Sequence, residues 1–124
     1  MKYYELKIEG ENGEGRTVRL RVRMQDHAEL DQLAGGNFLE AFRGSADSWA
    51  LLKAMLVAGC HAAGDIKPTQ ADEVIDELID EGKSSEDAFT LVMEIGTVSG
   101  FFTRSALERY REMMRKAQTE DESA

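Results

Sequence analysis

Apolar and polar residues alternate strictly at the start of the chain. Tyr4, Leu6 and Ile8 recur at every second position, interleaved with Glu5, Lys7 and Glu9. That is the period at which successive side chains of a strand fall on opposite faces. After "GENGEG" the alternation resumes with Val18, Leu20, Val22 and Met24, set against Thr17, Arg19, Arg21 and Arg23. Residues 1–24 are therefore expected to form a β-hairpin, one face on the core and the other carrying an arginine row. The glycines of the connection supply the positive φ angles that a hairpin requires. They do not make a phosphate loop, because no Lys-Ser/Thr follows and no helix begins there.

From Asp26 the period becomes helical. Asp26 is placed to cap a short helix ending at Leu33, with Gly35 and Gly36 as its stop. Asn37 with Glu40 has capping-box spacing and opens a brief helix through Phe38, Leu39 and Phe42. Ser45 or Asp47 starts a longer helix bearing Trp49, Leu52, Met55, Leu56 and Cys60 at helical spacing. Gly64 and Pro68 bracket a loop. Thr69 with Asp72 is expected to cap a helix whose buried stripe is Val74, Ile75, Leu78 and Ile79, ended by Gly82. Ser84 with Asp87 leads into Phe89, Val92, Met93 and Ile95, as far as Gly100. Thr103 or Ser105 begins a last helix with Leu107, Tyr110 and Met114. The expected fold is α+β, a hairpin packed on five or six mostly short helices. It forms a single domain over 1–117 (hairpin 1–24, helices 26–117), followed by a disordered acidic tail from Gln118 over 118–124.

The 124 residues suit one domain with its own core. Cys60, the single cysteine, cannot form a disulfide within the chain, which fits a reducing compartment. The opening "MKYYELKIEG" lacks the apolar stretch of a signal peptide, and no apolar run approaches the roughly 18 residues of a membrane span. A protein kept inside the cell is the expectation. The formal net charge of −9 opposes general nucleic-acid binding. The charge is uneven: residues 1–25 carry six basic and four acidic side chains, residues 26–103 four and fifteen, and residues 104–124 five of each. Such asymmetry suits self-association or a basic partner.

Three groups of residues raise the question of chemistry. Asp72, Asp76 and Asp80 form one i, i+4 row, and Glu73, Glu77 and Glu81 a second beside it. A di-metal carboxylate site needs acids projecting inward from several helices, commonly with Glu-x-x-His pairs, and neither His27 nor His61 stands in such a motif. A calcium loop would need Asp-x-Asp-x-Asp-Gly spacing, which is absent. The rows are read as a solvated outer face. Cys60 and His61 are adjacent and point about 100° apart on a helix, so they do not form a nucleophile–base pair. No Gly-x-Ser-x-Gly elbow is present either. Neither an enzyme nor a cofactor or metal site is expected. The basic last helix, with Arg104, Arg109, Arg111, Arg115 and Lys116, is interleaved with Glu108 and Glu112 and reads as intrahelical pairing.

Several segments together resemble a known family. They are "VRLRVRMQDHAELDQLAGGN" after the first strand, the central "LLKAMLVAGCHAA", then "VIDELIDEGKSSEDAF" and the closing "SGFF". Their order resembles the tail assembly chaperones of long-tailed bacteriophages and of prophages in Gram-positive bacteria, from about Tyr3 to Phe102. The aspartate-rich segment ending in Glu-Gly, followed some twenty residues later by Ser-Gly-Phe-Phe, is the most specific pairing. In the family a proline commonly follows Asn37; here Phe38 stands in its place. The resemblance implies a non-enzymatic protein without cofactor, made in the cytoplasm of the bacterial host and absent from the mature virion. It implies that the chain coats the tape measure protein until tube subunits polymerise around it. A longer frameshifted form would recruit the tail tube protein. Self-association into a homo-oligomer is expected, with no nucleic acid and no membrane partner. Phe42, Trp49, Phe101 and Phe102 are candidate apolar contacts, since the adjacent Phe101 and Phe102 are not expected to share one core. Arg19, Arg21 and Arg23 are candidate charged contacts. The alternative is a head–tail or tail component retained in the virion. A nucleic-acid-binding regulator and a metalloenzyme built on the acidic rows rank below it.

Overall fold

The computed structural model describes residues 1–10, 13–44 and 46–123. Two strands, β1 (Tyr4–Ile8) and β2 (Arg16–Leu20), pair antiparallel in a register running from Tyr4 opposite Leu20 to Ile8 opposite Arg16. Six α-helices follow among the described residues: α1 (His27–Leu33), α2 (Phe38–Arg43), α3 (Ser48–Gly59), α4 (Ala71–Asp80), α5 (Ser85–Val98) and α6 (Arg104–Ser123). The architecture is the expected α+β. Leu6, Ile8, Val18 and Leu20 are all buried on the face turned towards the helices, as the period-2 pattern requires.

The centre of the fold is α3, which packs against α1, α2, α4 and α5. It buries Leu51, Leu52, Ala54, Met55, Leu56, Ala58 and Gly59. A helix apolar on nearly every side is a core helix, and its neighbours need only one apolar stripe each. Local signals set most of the helix starts. The Asn37 side chain accepts the Glu40 amide hydrogen at 2.9 Å, and that of Asp47 accepts from Trp49 at 3.0 Å. Ser84 and Asp87 form a reciprocal capping box, and Thr103 Oγ1 accepts from Ala106 at 3.1 Å. Gly82 (φ 93°) and Gly100 (φ 88°) stop α4 and α5 in the left-handed region that favours glycine. Ser45, the other residue considered for starting α3, lies outside the described residues.

Four local expectations are corrected. Met24 is 82% exposed, because β2 ends at Leu20. Beyond it the Arg21 amide donates to the Gly59 carbonyl at 3.1 Å and the Val22 amide to Ser99 Oγ at 2.9 Å. The chain then turns through a 3-10 turn at Met24–Asp26, and the alternation is lost. Asp26 does not cap α1 through its side chain; its carboxylate takes the Arg23 amide at 3.1 Å and the guanidinium at 2.8 and 3.2 Å. Thr69 is not the cap of α4. Pro68 opens a 3-10 turn in which Gln70 Oε1 accepts the Lys67 amide hydrogen at 2.8 Å, and α4 begins only at Ala71. Ile79 is 46% exposed, being one 100° step past Leu78 and off the stripe of Ala71, Val74 and Leu78. The last helix runs from Arg104 to Ser123.

Candidate interaction surface

Hydrogen-bond parity makes the two edges of the hairpin unequal. On β2, the Arg19 amide donates outwards to Asp65 Oδ2 at 2.9 Å, away from β1. Arg19 stands opposite Glu5, so this is a non-hydrogen-bonded pair of the antiparallel ladder. Glu5 and Lys7 must then also turn their N–H and C=O groups away from the partner strand. Glu9 has the same parity, and its amide donates to Glu81 Oε1 at 2.6 Å, with Gly10 adding a longer bond at 3.4 Å. The β2 edge is thus held at Arg19 by Asp65 and, just beyond the strand, at Arg21 by the Gly59 carbonyl, while the outward groups of Thr17 have no partner among the described residues. The β1 edge is covered only at its end, by Glu81. The outward backbone groups of Glu5 and Lys7 have no partner among the described residues. A groove of about 310 Å³ runs along Tyr4–Lys7, and its opposite wall is Leu78, Lys83, Asp87, Thr90, Leu91 and Glu94.

All three candidate arginines already have partners within the chain. Arg19 makes a two-pronged pair with Asp65 (3.0 Å from Nε and from Nη2) and lies 5.4 Å above the Tyr3 ring. Arg21 Nη1 donates to the Lys2 carbonyl at 3.1 Å, and Arg23 holds Asp26. The Asp65 carboxyl is held below its usual range by the hydrogen bonds from Arg19. Asp26 is also held low. Burial by itself would raise it, and the hydrogen bonds and charge of Arg23 outweigh that. The row that alternation puts on one face therefore fastens the hairpin to the loop after α3 and to the turn before α1.

The acidic rows of α4 divide in the same manner. Both carboxylate oxygens of Glu77 accept from Arg16 Nη2 at 3.1 Å, Glu81 takes the backbone at the end of β1, and Asp72 pairs with Lys53 of α3 at 2.8 Å. Glu73, Asp76 and Asp80 face solvent. Among the described residues, no group of three or more His, Cys, Asp or Glu is placed to hold a metal ion. Cys60 is buried, its thiol donating to the Val57 carbonyl at 3.4 Å. Burial above all, then the charges of Glu29 and Asp26, push this thiol up, against a partial lowering by its backbone hydrogen bond. His61 instead faces Glu29 at 3.3 Å. No described helix is long and apolar enough to cross a membrane.

The aromatic candidates meet in one cluster. Phe101 stacks on His27 (centroids 4.6 Å apart) and meets Phe38 edge-on at 5.1 Å. Phe102 packs on Phe42 at 4.8 Å, Phe42 stacks on Phe89 at 5.0 Å, and Phe89 reaches Tyr110 of α6 at 5.1 Å. All five phenylalanines of the chain therefore join α1, α2, α5 and α6. Phe101 and Phe102 are both packed against the core, contrary to the expectation that one core could not hold both. Their room comes from Gly96, over which the Phe102 ring lies. Trp49 packs against the core from the first turn of α3 and is half-buried. Sequence reasoning missed Asp65, Ser99 and Gly59 as anchors of the hairpin, and no local pattern marks them, because each acts only on residues distant in the chain. Comparison with protein-family models, with curated proteins and with solved structures finds no match.

Proposed function

We propose that this chain is a phage or prophage tail assembly chaperone that coats the tape measure protein and keeps it soluble until the tail tube polymerises. The observation that carries the reading is the order of sequence motifs, above all "VIDELIDEGKSSEDAF" with "SGFF" following at its family spacing. In this reading the protein is not an enzyme and uses no cofactor. It acts in the cytoplasm of the bacterial host and is absent from the mature virion.

Reversible coating calls for many modest contacts and gains its strength from multivalency. The open β1 edge, the acidic outer face of α4 at Glu73, Asp76 and Asp80, and the exposed Met24, Leu33, Ile79 and Met113 are compatible with that demand. The arginine row contributes less than its spacing suggests, since Arg19 and Arg23 are held by Asp65 and Asp26. Phe42, Phe101 and Phe102 likewise serve packing first, leaving only their exposed edges for a partner.

Co-expression with a tape measure protein from the same phage or prophage region tests the reading, by pull-down and light scattering on the soluble fraction. Soluble tape measure carrying many copies of this chain is the expected result. An insoluble tape measure, with this chain eluting free of it, would remove the main support. Finding the chain in purified particles would favour a retained head–tail or tail component instead.

A further inference from the structure

We infer that the free edge of β1 pairs antiparallel with the β1 edge of a second copy of this chain, joining the two hairpins into one four-stranded sheet. The strand reads Tyr4-Glu5-Leu6-Lys7-Ile8, which is symmetric in character about Leu6: apolar, acidic, apolar, basic, apolar. The residues whose backbone turns outwards are Glu5 and Lys7, so an added strand bonds at these positions. Three registers about a two-fold axis fit that parity. One sets Glu5 against Glu5, another sets Lys7 against Lys7, and both place like charges directly opposite, which destabilises a sheet. The third centres on Leu6 and sets Glu5 of each copy against the partner's Lys7. It forms two opposite-charge pairs, and each pair exchanges both of its N–H···O bonds. Charge thus selects a single register, and it selects the strand's own copy as occupant.

The rest of the hairpin is consistent with this choice. On the β2 side Asp65 and Gly59 already take the Arg19 and Arg21 amides, and Glu81 takes the Glu9 amide on β1, so the longest run of unpaired outward backbone within a strand is Glu5 to Lys7 of β1. In the Leu6-centred register Tyr4, Leu6 and Ile8 keep their inward face, and both helical layers lie on one side of the joined sheet with their groove walls facing across the axis. A two-stranded hairpin is marginal by itself, and four strands are a more stable unit. The inference does not depend on the chaperone reading and uses the chain alone.

Light scattering after size exclusion, over a concentration series, is to be combined with amide hydrogen exchange. The expected result is a reversible dimer in which the Glu5 and Lys7 amides are protected at high concentration and exchange rapidly on dilution. Lys7→Glu places two like-charge pairs at the interface and is expected to weaken the dimer about tenfold or more. The double exchange Glu5→Lys with Lys7→Glu restores opposite charges across the axis and is expected to recover most of the loss. A chain that stays monomeric at every concentration overturns the inference. So does a dimer whose Glu5 and Lys7 amides still exchange freely, or one that Lys7→Glu leaves equally tight. Protection of these amides only on adding an extended peptide of another protein would assign the edge to a different occupant and also overturn it. If Lys7→Glu does not fold, the exchange pattern of the wild-type chain decides.

Discussion

Replacing Gly96 by alanine is expected to destabilise the protein, although alanine is the better helix former. Gly96 is buried in α5, and a Cβ built there would lie 2.5 Å from two carbons of the Phe102 ring. Carbon atoms in contact normally stand about 3.5–4.0 Å apart, so the ring must retreat by roughly 1 Å or more. Retreat is obstructed. Phe42 backs the ring at 4.8 Å, and the Phe101 amide is bonded to the Gly96 carbonyl at 2.8 Å, which ties the turn to the same helix position. Overpacking of this kind costs about 1–3 kcal/mol, while Gly→Ala inside a helix returns roughly 1 kcal/mol. The net expectation is a loss of about 1 kcal/mol, or roughly 4 °C in melting temperature for a domain of this size. Urea denaturation of Gly96→Ala, Phe102→Ala and the double variant forms a thermodynamic cycle. With the ring removed, the helix-propensity gain remains and the clash does not, so Gly96→Ala should become stabilising. If Gly96→Ala stabilises both backgrounds equally, the Phe102 ring does not rest on Gly96 and the account of the "SGFF" junction fails.

Other outcomes follow from single sites. Asp26 and Asp65 have depressed carboxyl pKa values, so their contribution to stability is present above the unfolded value near 3.9 and is lost as pH falls through the lower folded values. Acid titration of stability should therefore be shallower for Asp26→Asn and for Asp65→Asn than for the wild-type chain. Cys60, buried with its thiol pushed up, should resist a thiol reagent in the native state and react on unfolding, so rapid labelling of the folded protein would contradict its placement. Phe38→Ala removes a fully buried ring that touches Phe42, Phe101 and Phe102, and a loss of about 3–5 kcal/mol in chemical denaturation is expected.

How much of this was legible in the sequence depends on the range of each interaction. Asn37 and the Ser84–Asp87 box bond to backbone three residues away, and spacing alone identifies them; for α3 spacing offered Ser45 or Asp47, and Asp47 bonds the Trp49 amide. Asp26 and Thr69 satisfy similar spacing rules, yet Arg23 captures the first and the Pro68 turn displaces the second. Both competitors are local, but a list of capping residues does not rank them. The arginine row was visible as a pattern, whereas its partner Asp65 stands 46 residues from Arg19 and carries no signal of its own. Adjacent phenylalanines looked incompatible with one core because the space above Gly96 exists only once α5 and the following turn are folded together. Any two-stranded hairpin leaves edges open to pairing. Which edge, and at which residues, required the direction of the Arg19 amide.

The anchoring of the hairpin has a consequence for synthesis. Its strands are made well before the groups that hold them. The Glu9 amide waits for Glu81, 72 residues on, and the Val22 amide for Ser99, 77 residues on. At translation rates of about 5–20 residues per second, the nascent hairpin spends roughly 4–15 s without these anchors. A lone two-stranded ribbon is marginally stable in water, so the hairpin leaves the ribosome uncommitted and is fully anchored only when α5 is complete. A ribosome stalled before Ser99 is synthesised should therefore display a protease-sensitive hairpin, and one stalled after α5 has emerged a resistant one.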